Sequence, residues 1–258
     1  MKICLLAFFL VLALPILAPA ETLKISTDND WYPNSYTEGE QSVGVQIDIV
    51  REALKKTKYT PEFIPCPWKR CLFHIREGER EALATASYTK ERAEFIIYPP
   101  DATTAKKSKW RVNQVEYVLM TRKGDTYEFD GNLLNIPQPI GAQSGSSTAE
   151  FLKKHNLNII ENVNAYANSG MLALERLNSV VTPPLYAKDI NENSDHAGKF
   201  KIHKLPLRSK SYFMAFSKKG KLSASDREEI WAAIAEVRSD EAFMLRILKT
   251  HKNQNRAE

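Results

Sequence analysis

Cysteine is scarce, with three in 258 residues. Cys4 lies at the very start of the first apolar run, which leaves Cys66 and Cys71 in the remainder of the chain. They stand in "CPWKRC", which is not the C-x-x-C spacing of a redox pair. The five histidines, at 74, 155, 196, 203 and 251, are scattered, and no H-E-x-x-H occurs. A zinc site needs about four converging ligands, and this pattern does not supply them. No motif calls for a metal or other cofactor. There is also no dense basic block and no basic-aromatic ribbon. The formal charge of +5 is spread as lysines along the chain, which reads as a solvated surface and excludes a nucleic-acid partner. Beyond the N-terminus no apolar run is long enough to span a membrane. Internal repeats and low-complexity segments are absent.

The N-terminus itself is "MKICLLAFFLVLALPILAPAE": one lysine, an apolar run from Ile3 to Leu17, then Ala18-Pro19-Ala20. This is the pattern of a cleaved secretory signal peptide over residues 1–20. The run is short for a span, Pro15 interrupts it, and Cys4 lies at the wrong end of it to carry a lipid. Export to the periplasm is therefore expected. Loss of Lys2 lowers the formal charge from +5 to +4 and leaves 258 − 20 = 238 residues. That length suits two modest lobes or one large domain. In an oxidising compartment the two remaining cysteines are expected to pair. Residues five apart on an ideal helix are too distant to bridge, so Cys66 must precede the helix that carries Cys71, with Pro67 at the helix start.

The patterning alternates strand and helix. "TLKIST", "YTPEFIP" and "EALATAS" read as strands. "VQIDIVREALKKT" and "WKRCLFHIREGE" read as helices, the second with Trp68, Leu72 and Ile75 on one face and Gly78 ending it. "DNDWYPNSYTEGEQ" reads as a polar, turn-rich segment. A second block runs from the strand "VEYVLMTRKGD" through "PIGAQSGSSTAEFLKKH" (strand, glycine turn, helix), the helix "SGMLALERLN" and the strand "SVVTPP", stopped by Pro183-Pro184. "YFMAFSKKG" is a further strand, and two helices close the chain. Capping boxes are expected at Ser147/Glu150 and Ser225/Glu228, with Ser239 capping the last helix. Ile230, Ile234 and Val237 line the first terminal helix. A β/α alternation that occurs twice predicts an α/β protein with mostly parallel sheets flanked by helices. Two lobes joined by two crossing strands fit this pattern, with ligand in the crevice beyond the strand ends.

The candidate site begins with "TASYTKER". Thr85, Ser87 and Thr89 precede Arg92, whose planar fork of donors matches a carboxylate, while hydroxyls fill the remaining acceptor sites. A polar turn capping a helix at Lys90-Glu91-Arg92 is the plainer reading. Gly145-Ser146-Ser147-Thr148 opens a helix whose free N–H groups favour an anion, or simply caps it. Trp31 follows the first strand, where it can stack on a ligand or close the core. Asp28 beside it is a cation partner or a turn residue. "SYTK" also matches the S-x-x-K of penicillin-recognising serine enzymes, but S-D-N and K-T-G are missing.

Taken in order, these segments resemble the family 3 extracellular solute-binding proteins, the periplasmic receptors of polar amino-acid ABC transporters. "TDNDWYP" is similar to the family's opening loop, which implies that Asp28 and Trp31 meet the ligand. "VGVQIDIVREALKK" resembles its G-x-x-x-D helix start, at Gly44 and Asp48. "SYTKER" resembles its S-x-T-x-x-R segment, which implies that Ser87 and Arg92 hold a ligand carboxylate. "IGAQSGSST" resembles its glycine-serine turn, which implies the same for Ser146 and Ser147. The resemblance implies a two-lobed type II periplasmic binding fold joined by two hinge strands. Lobe 1 is expected over 21–116 and 212–258, and lobe 2 over 117–211. It implies capture of a small carboxylate-bearing solute, an amino acid or similar, by a monomer that delivers it to an ABC permease without chemistry. One departure stands out. Where the family places an aspartate for the ligand ammonium, this chain has Thr182-Pro183, and Asp189 comes late. A hydrolase or dehydratase on the same fold, or a sensory receptor, are the competing readings.

Overall fold

The computed structural model describes residues 21–253. The segment read as a signal peptide lies outside them. The first block of elements is β1 (Glu21–Asp28), a small meander of β2 (Asp30–Trp31), β3 (Ser35–Glu38) and β4 (Gln41–Val43), α1 (Val45–Leu54), β5 (Tyr59–Cys66), α2 (Trp68–Glu77), β6 (Ala82–Ser87), α3 (Lys90–Ala93) and β7 (Ile96–Ile97). The second is β8 (Asn113–Arg122), β9 (Ile140–Gln143), α4 (Ser147–Lys154), β10 (Ile159–Asn162), α5 (Ala165–Ala173), β11 (Ser179–Thr182), α6 (Pro184–Asn193) and β12 (Phe200–Ile202). The chain returns through β13 (Arg208–Ser217) to α7 (Ala224–Ser239) and α8 (Glu241–Asn253).

The main sheet runs β10-β9-β11-β8-β13-β6-β1-β5. Its two wings are parallel, β5-β1-β6 at one end and β10-β9-β11 at the other. They meet at an antiparallel pair of long strands, β8 and β13, in register from Tyr117↔Arg208 to Asn113↔Tyr212. Each wing has its own core. Leu23, Ile25, Ile47, Val50 and Leu54 pack with Ile230, Trp231 and Ile234 in the first. Leu119, Ile140, Leu152, Leu172, Val180 and Tyr186 pack in the second. Each such buried side chain contributes about 1.5–3 kcal/mol. Val45, Ile47, Ile49, Val50, Ala53 and Leu54 of α1 are all buried, because the helix is covered by the sheet on one side and by α7 and α8 on the other.

Several local expectations change. Ser146, not Ser147, caps α4, its hydroxyl accepting from the Ala149 N–H at 3.0 Å. Ser147 becomes the first helical residue and its hydroxyl is left for another partner. The box at α7 is Ser223 with Asp226, two residues earlier than Ser225/Glu228; the earlier cap gains two more residues of helix. Asp240, not Ser239, caps α8 by accepting from the Phe243 N–H at 3.0 Å. Pro183-Pro184 ends β11 and also starts a helix, α6, with proline in its first turn. The polar segment after β1 forms the meander, and Trp31, Tyr32 and Tyr36 from it are buried against the second core.

The Cys66–Cys71 disulfide is present, with Cα atoms 5.6 Å apart. Cys66 ends β5 and Pro67 occupies the N-cap of α2, so the cysteine lies ahead of the helix. At the other end of α2, Gly78 adopts φ +78°, the left-handed cap that a side chain disfavours.

Candidate functional site

Four strands end at one crevice: β1 at Asp28, β6 at Ser87, β9 at Gln143 and β11 at Thr182. Open α/β sheets bind ligands beyond such ends. The crevice has two adjoining chambers, each with about 320 Å³ of open space that continues into solvent. Trp31, Tyr117, Gln143 and Ser146 border both. The first chamber adds Asp28, Trp68, Thr85, Arg92, Ser147 and Tyr212. The second adds Thr148, Ala165, Val181, Thr182, Pro183 and Tyr186.

Six of the seven ligand candidates from the sequence therefore share one wall: Asp28, Trp31, Thr85, Arg92, Ser146 and Ser147. Ser87 is fully buried behind it. "TASYTKER" is not the solvated turn its polarity implies; Thr85, Ser87 and Arg92 are all buried. Thr89 does cap α3, accepting from the Arg92 N–H at 3.2 Å. The cap is therefore real, and the same segment also contributes Thr85 and Arg92 to the chamber.

Arg92 is 3% exposed. Its Nη1 donates to the Ser87 carbonyl at 2.9 Å and to the Ser87 hydroxyl at 3.2 Å. Its Nη2 donates across the crevice to the Gly145 carbonyl at 2.9 Å. The Trp68 indole N–H reaches the same carbonyl at 3.0 Å, and the guanidinium lies 5.1 Å from the Trp68 ring centroid. Among the described residues Arg92 Nε has no hydrogen-bond partner. Gly145 has φ +69°, and a Cβ there would press on Lys69 at 3.1 Å, so the turn that presents this carbonyl favours glycine.

The α4 start is already partly satisfied. The Gly145 N–H donates to Glu161 at 2.8 Å, and Lys153 pairs with the same carboxylate. Behind Ser147 the wall is cationic. Arg208 donates to the Ser147 carbonyl at 2.9 Å and Lys210 to the Tyr88 carbonyl at 2.7 Å. Burial, then the charges of Arg208 and Arg92, push Lys210 down to about 8. Glu150 is the acid acting against this.

Asp28, at the end of β1, is also buried. Burial pushes its carboxyl up to about 7, reinforced by the charge of Asp30 and opposed by hydrogen bonds from the Asp30 N–H and from Gln143. The Gln143 contact, 2.9 Å, crosses the crevice. Asp30 is tied to the other wing by Tyr186, at 3.0 Å, and Asn164. Trp31 packs on Tyr212 with ring centroids 4.8 Å apart, and the hydroxyls of Tyr212 and Tyr117 are hydrogen-bonded. Sequence reading missed Trp68, Tyr117, Gln143 and Tyr212. Gln143 alone carried a usable signal, a polar residue at the end of an apolar strand.

Residues 23–241 match the family of bacterial extracellular solute-binding proteins, family 3. The chain belongs to this family. Solute binding is its function at that level. A comparison with curated proteins finds no match. Among solved structures, an arginine-, lysine-, histidine-binding protein, ArtJ from Geobacillus stearothermophilus, is 17% identical with a TM-score of 0.72, covering 91% of this chain and 96% of its own. The amino-acid ABC transporter substrate-binding protein AbpA from Streptococcus pneumoniae, bound to L-arginine, is 18% identical with a TM-score of 0.71, covering 90% and 94%. A histidine kinase sensor domain with similarity to periplasmic binding proteins is 14% identical with a TM-score of 0.73, covering 90% and 96%. These likenesses establish the two-lobed fold. No helix among the described residues is long and apolar enough to cross a membrane.

Proposed function

We propose that the crevice captures a small carboxylate-bearing solute between two lobes, 21–116 with 212–258 and 117–211, and that the exported protein, a monomer in the periplasm, hands the solute unchanged to an ABC permease. The observation that carries this reading is Arg92, a buried cation on the chamber wall whose Nε has no hydrogen-bond partner among the described residues. A buried charge is expensive unless paired. A ligand carboxylate reaching Arg92 Nε, the Ser146 and Ser147 hydroxyls and Thr85 supplies the missing charge. Arg208 and Lys210 behind the wall add a field of the same sign. Trp31 and Trp68 bracket the solute, and Asp28 faces it from the first strand. The lobe boundaries are supported by the separate cores and by the β8–β13 crossover between them.

A thermal-shift screen over amino acids, small carboxylates and peptidoglycan fragments, followed by calorimetry, tests the proposal. A hit is to be compared with its own carboxamide. The acid is expected to bind and the amide to lose at least tenfold. Equal affinity for acid and amide would remove Arg92 as the anchor. Recovery of the solute unchanged after long incubation separates binding from turnover.

A further inference from the structure

The second chamber differs from the first in a way that bears on the class of solute. Its wall contains no charged side chain. Trp31, Tyr117, Tyr186, Ala165, Val181 and Pro183 make it aromatic and apolar, and its polar groups are amides and hydroxyls. The nearest acid of the meander, Asp30, stands behind Tyr186 with both carboxylate oxygens engaged by Tyr186 and Asn164. Thr182, at the end of β11, is 1% exposed and its hydroxyl has no hydrogen-bond partner. Thr148, 2% exposed, lies against the Tyr117 hydroxyl, which leaves Thr182 as the orphan of this wall. Buried polar groups are nearly always satisfied, and a native exception on a binding wall points to the group that satisfies it. A hydroxyl or carbonyl oxygen does so at no charge cost. An ammonium there would meet no charged partner on this wall, and the carboxyl nearest through Gln143, Asp28, is held up at about 7 by burial.

We propose that the solute is a carboxylate whose second portion, next to Thr182 and Thr148, carries a neutral hydroxyl or carbonyl oxygen in place of an ammonium, so that 2-hydroxy and 2-oxo acids are preferred over the matching amino acids. The inference rests on Arg92 as the carboxylate anchor. The two chambers share Ser146 and Gln143, so a carboxylate held at Arg92 places its neighbouring carbon substituent toward the uncharged wall.

Matched pairs decide the matter. L-Alanine, L-leucine, L-phenylalanine, L-glutamate and L-arginine are titrated calorimetrically at pH 7.5 against the 2-hydroxy acids that carry the same side chains. At least one hydroxy acid is expected to bind tenfold or more tighter than its amino acid. Tighter binding of the amino acid in every pair that binds overturns this inference and leaves the carboxylate reading intact. Absence of binding by all of these carboxylates overturns both. Thr182→Asp supplies the missing charge and should reverse the preference toward the amino acid. Thr182→Val, which deletes the orphan hydroxyl at constant shape, serves if the aspartate variant does not fold. It should keep or raise the melting temperature and weaken the hydroxy acid about fivefold or more, and unchanged affinity in that variant would sink the proposal.

Discussion

The hydroxyls of Ser87 and Ser147 lie 2.7 Å apart, joining residues 60 positions distant in the chain. Ser87 ends a strand of one wing and Ser147 begins a helix of the other. Because Ser146 takes the cap, Ser147 is free for this contact, and Arg92 donates to the same Ser87 hydroxyl. The three side chains form one buried chain of donors and acceptors.

Arg92→Ala should weaken binding of the identified carboxylate by about 2–5 kcal/mol, since the ligand charge is then enclosed and unpaired. The burial of Arg92 adds a second effect. Loss of its bonds to Ser87 and Gly145 should also lower stability, by about 1–3 kcal/mol. Calorimetry and a urea melt read the two separately. Arg92→Lys restores the charge without the fork and should recover only part of either. Unchanged affinity in the alanine variant places the anchor elsewhere.

Closure predicts a shape change. If the lobes meet as proposed, the crossing points are β8 near Glu116–Val118 and β13 near Ser211–Phe213, and rotation there is expected to open the crevice. Solution scattering should show a smaller radius of gyration at saturating ligand than in the open, ligand-free protein. Identical profiles from an apo form shown independently to be open would refute hinge closure.

The disulfide should be a modest staple. It closes a very short loop, worth roughly 2 kcal/mol by chain entropy. The double variant Cys66→Ser, Cys71→Ser should fold, melt a few degrees lower and keep most of its binding, because Trp68 is also held by its bond to Gly145. Thiol titration of unreduced, denatured protein from the periplasm should find no free thiol; two per chain would mean that the pair is reduced in place.

Asp28 gives a pH dependence of definite sign. Between about pH 4 and 7 the unfolded carboxyl is ionised while the native one, raised to about 7, still holds its proton. The native state binds more protons, so stability falls as pH rises through that window, and the penalty persists above it. Asp28→Asn keeps an acceptor for the Asp30 N–H and removes the ionisation. Its melting temperature should vary less between pH 5 and 8 than that of the unaltered protein. Parallel profiles for the two would mean that Asp28 is solvated and ionised throughout.

Much of this was legible in advance, for identifiable reasons. Helical spacing of Ile47, Val50 and Leu54, and of Ile230, Ile234 and Val237, marked two faces that are indeed buried. The order of short motifs marked Arg92 and Ser147. Polarity misled where polar residues bury one another. The plainer reading of Thr85, Ser87 and Arg92 was a polar turn, yet Ser87 and Arg92 also find partners in the other wing, Ser147 and Gly145, and no local pattern announces a partner 60 residues away. The meander was hidden in the same way, since Trp31 and Tyr36 find their core in the second block. Pro183-Pro184 was read as a stop, whereas a proline in the first turn of a helix is equally a start.

The Gly145 carbonyl accepts from both Arg92 and Trp68, and an oxygen with two lone pairs has no room for a third strong donor. The acceptor is main chain, so no substitution deletes it. The fastening therefore asks of position 145 only its backbone, whereas its donors, Arg92 and Trp68, are side chains that substitution can remove.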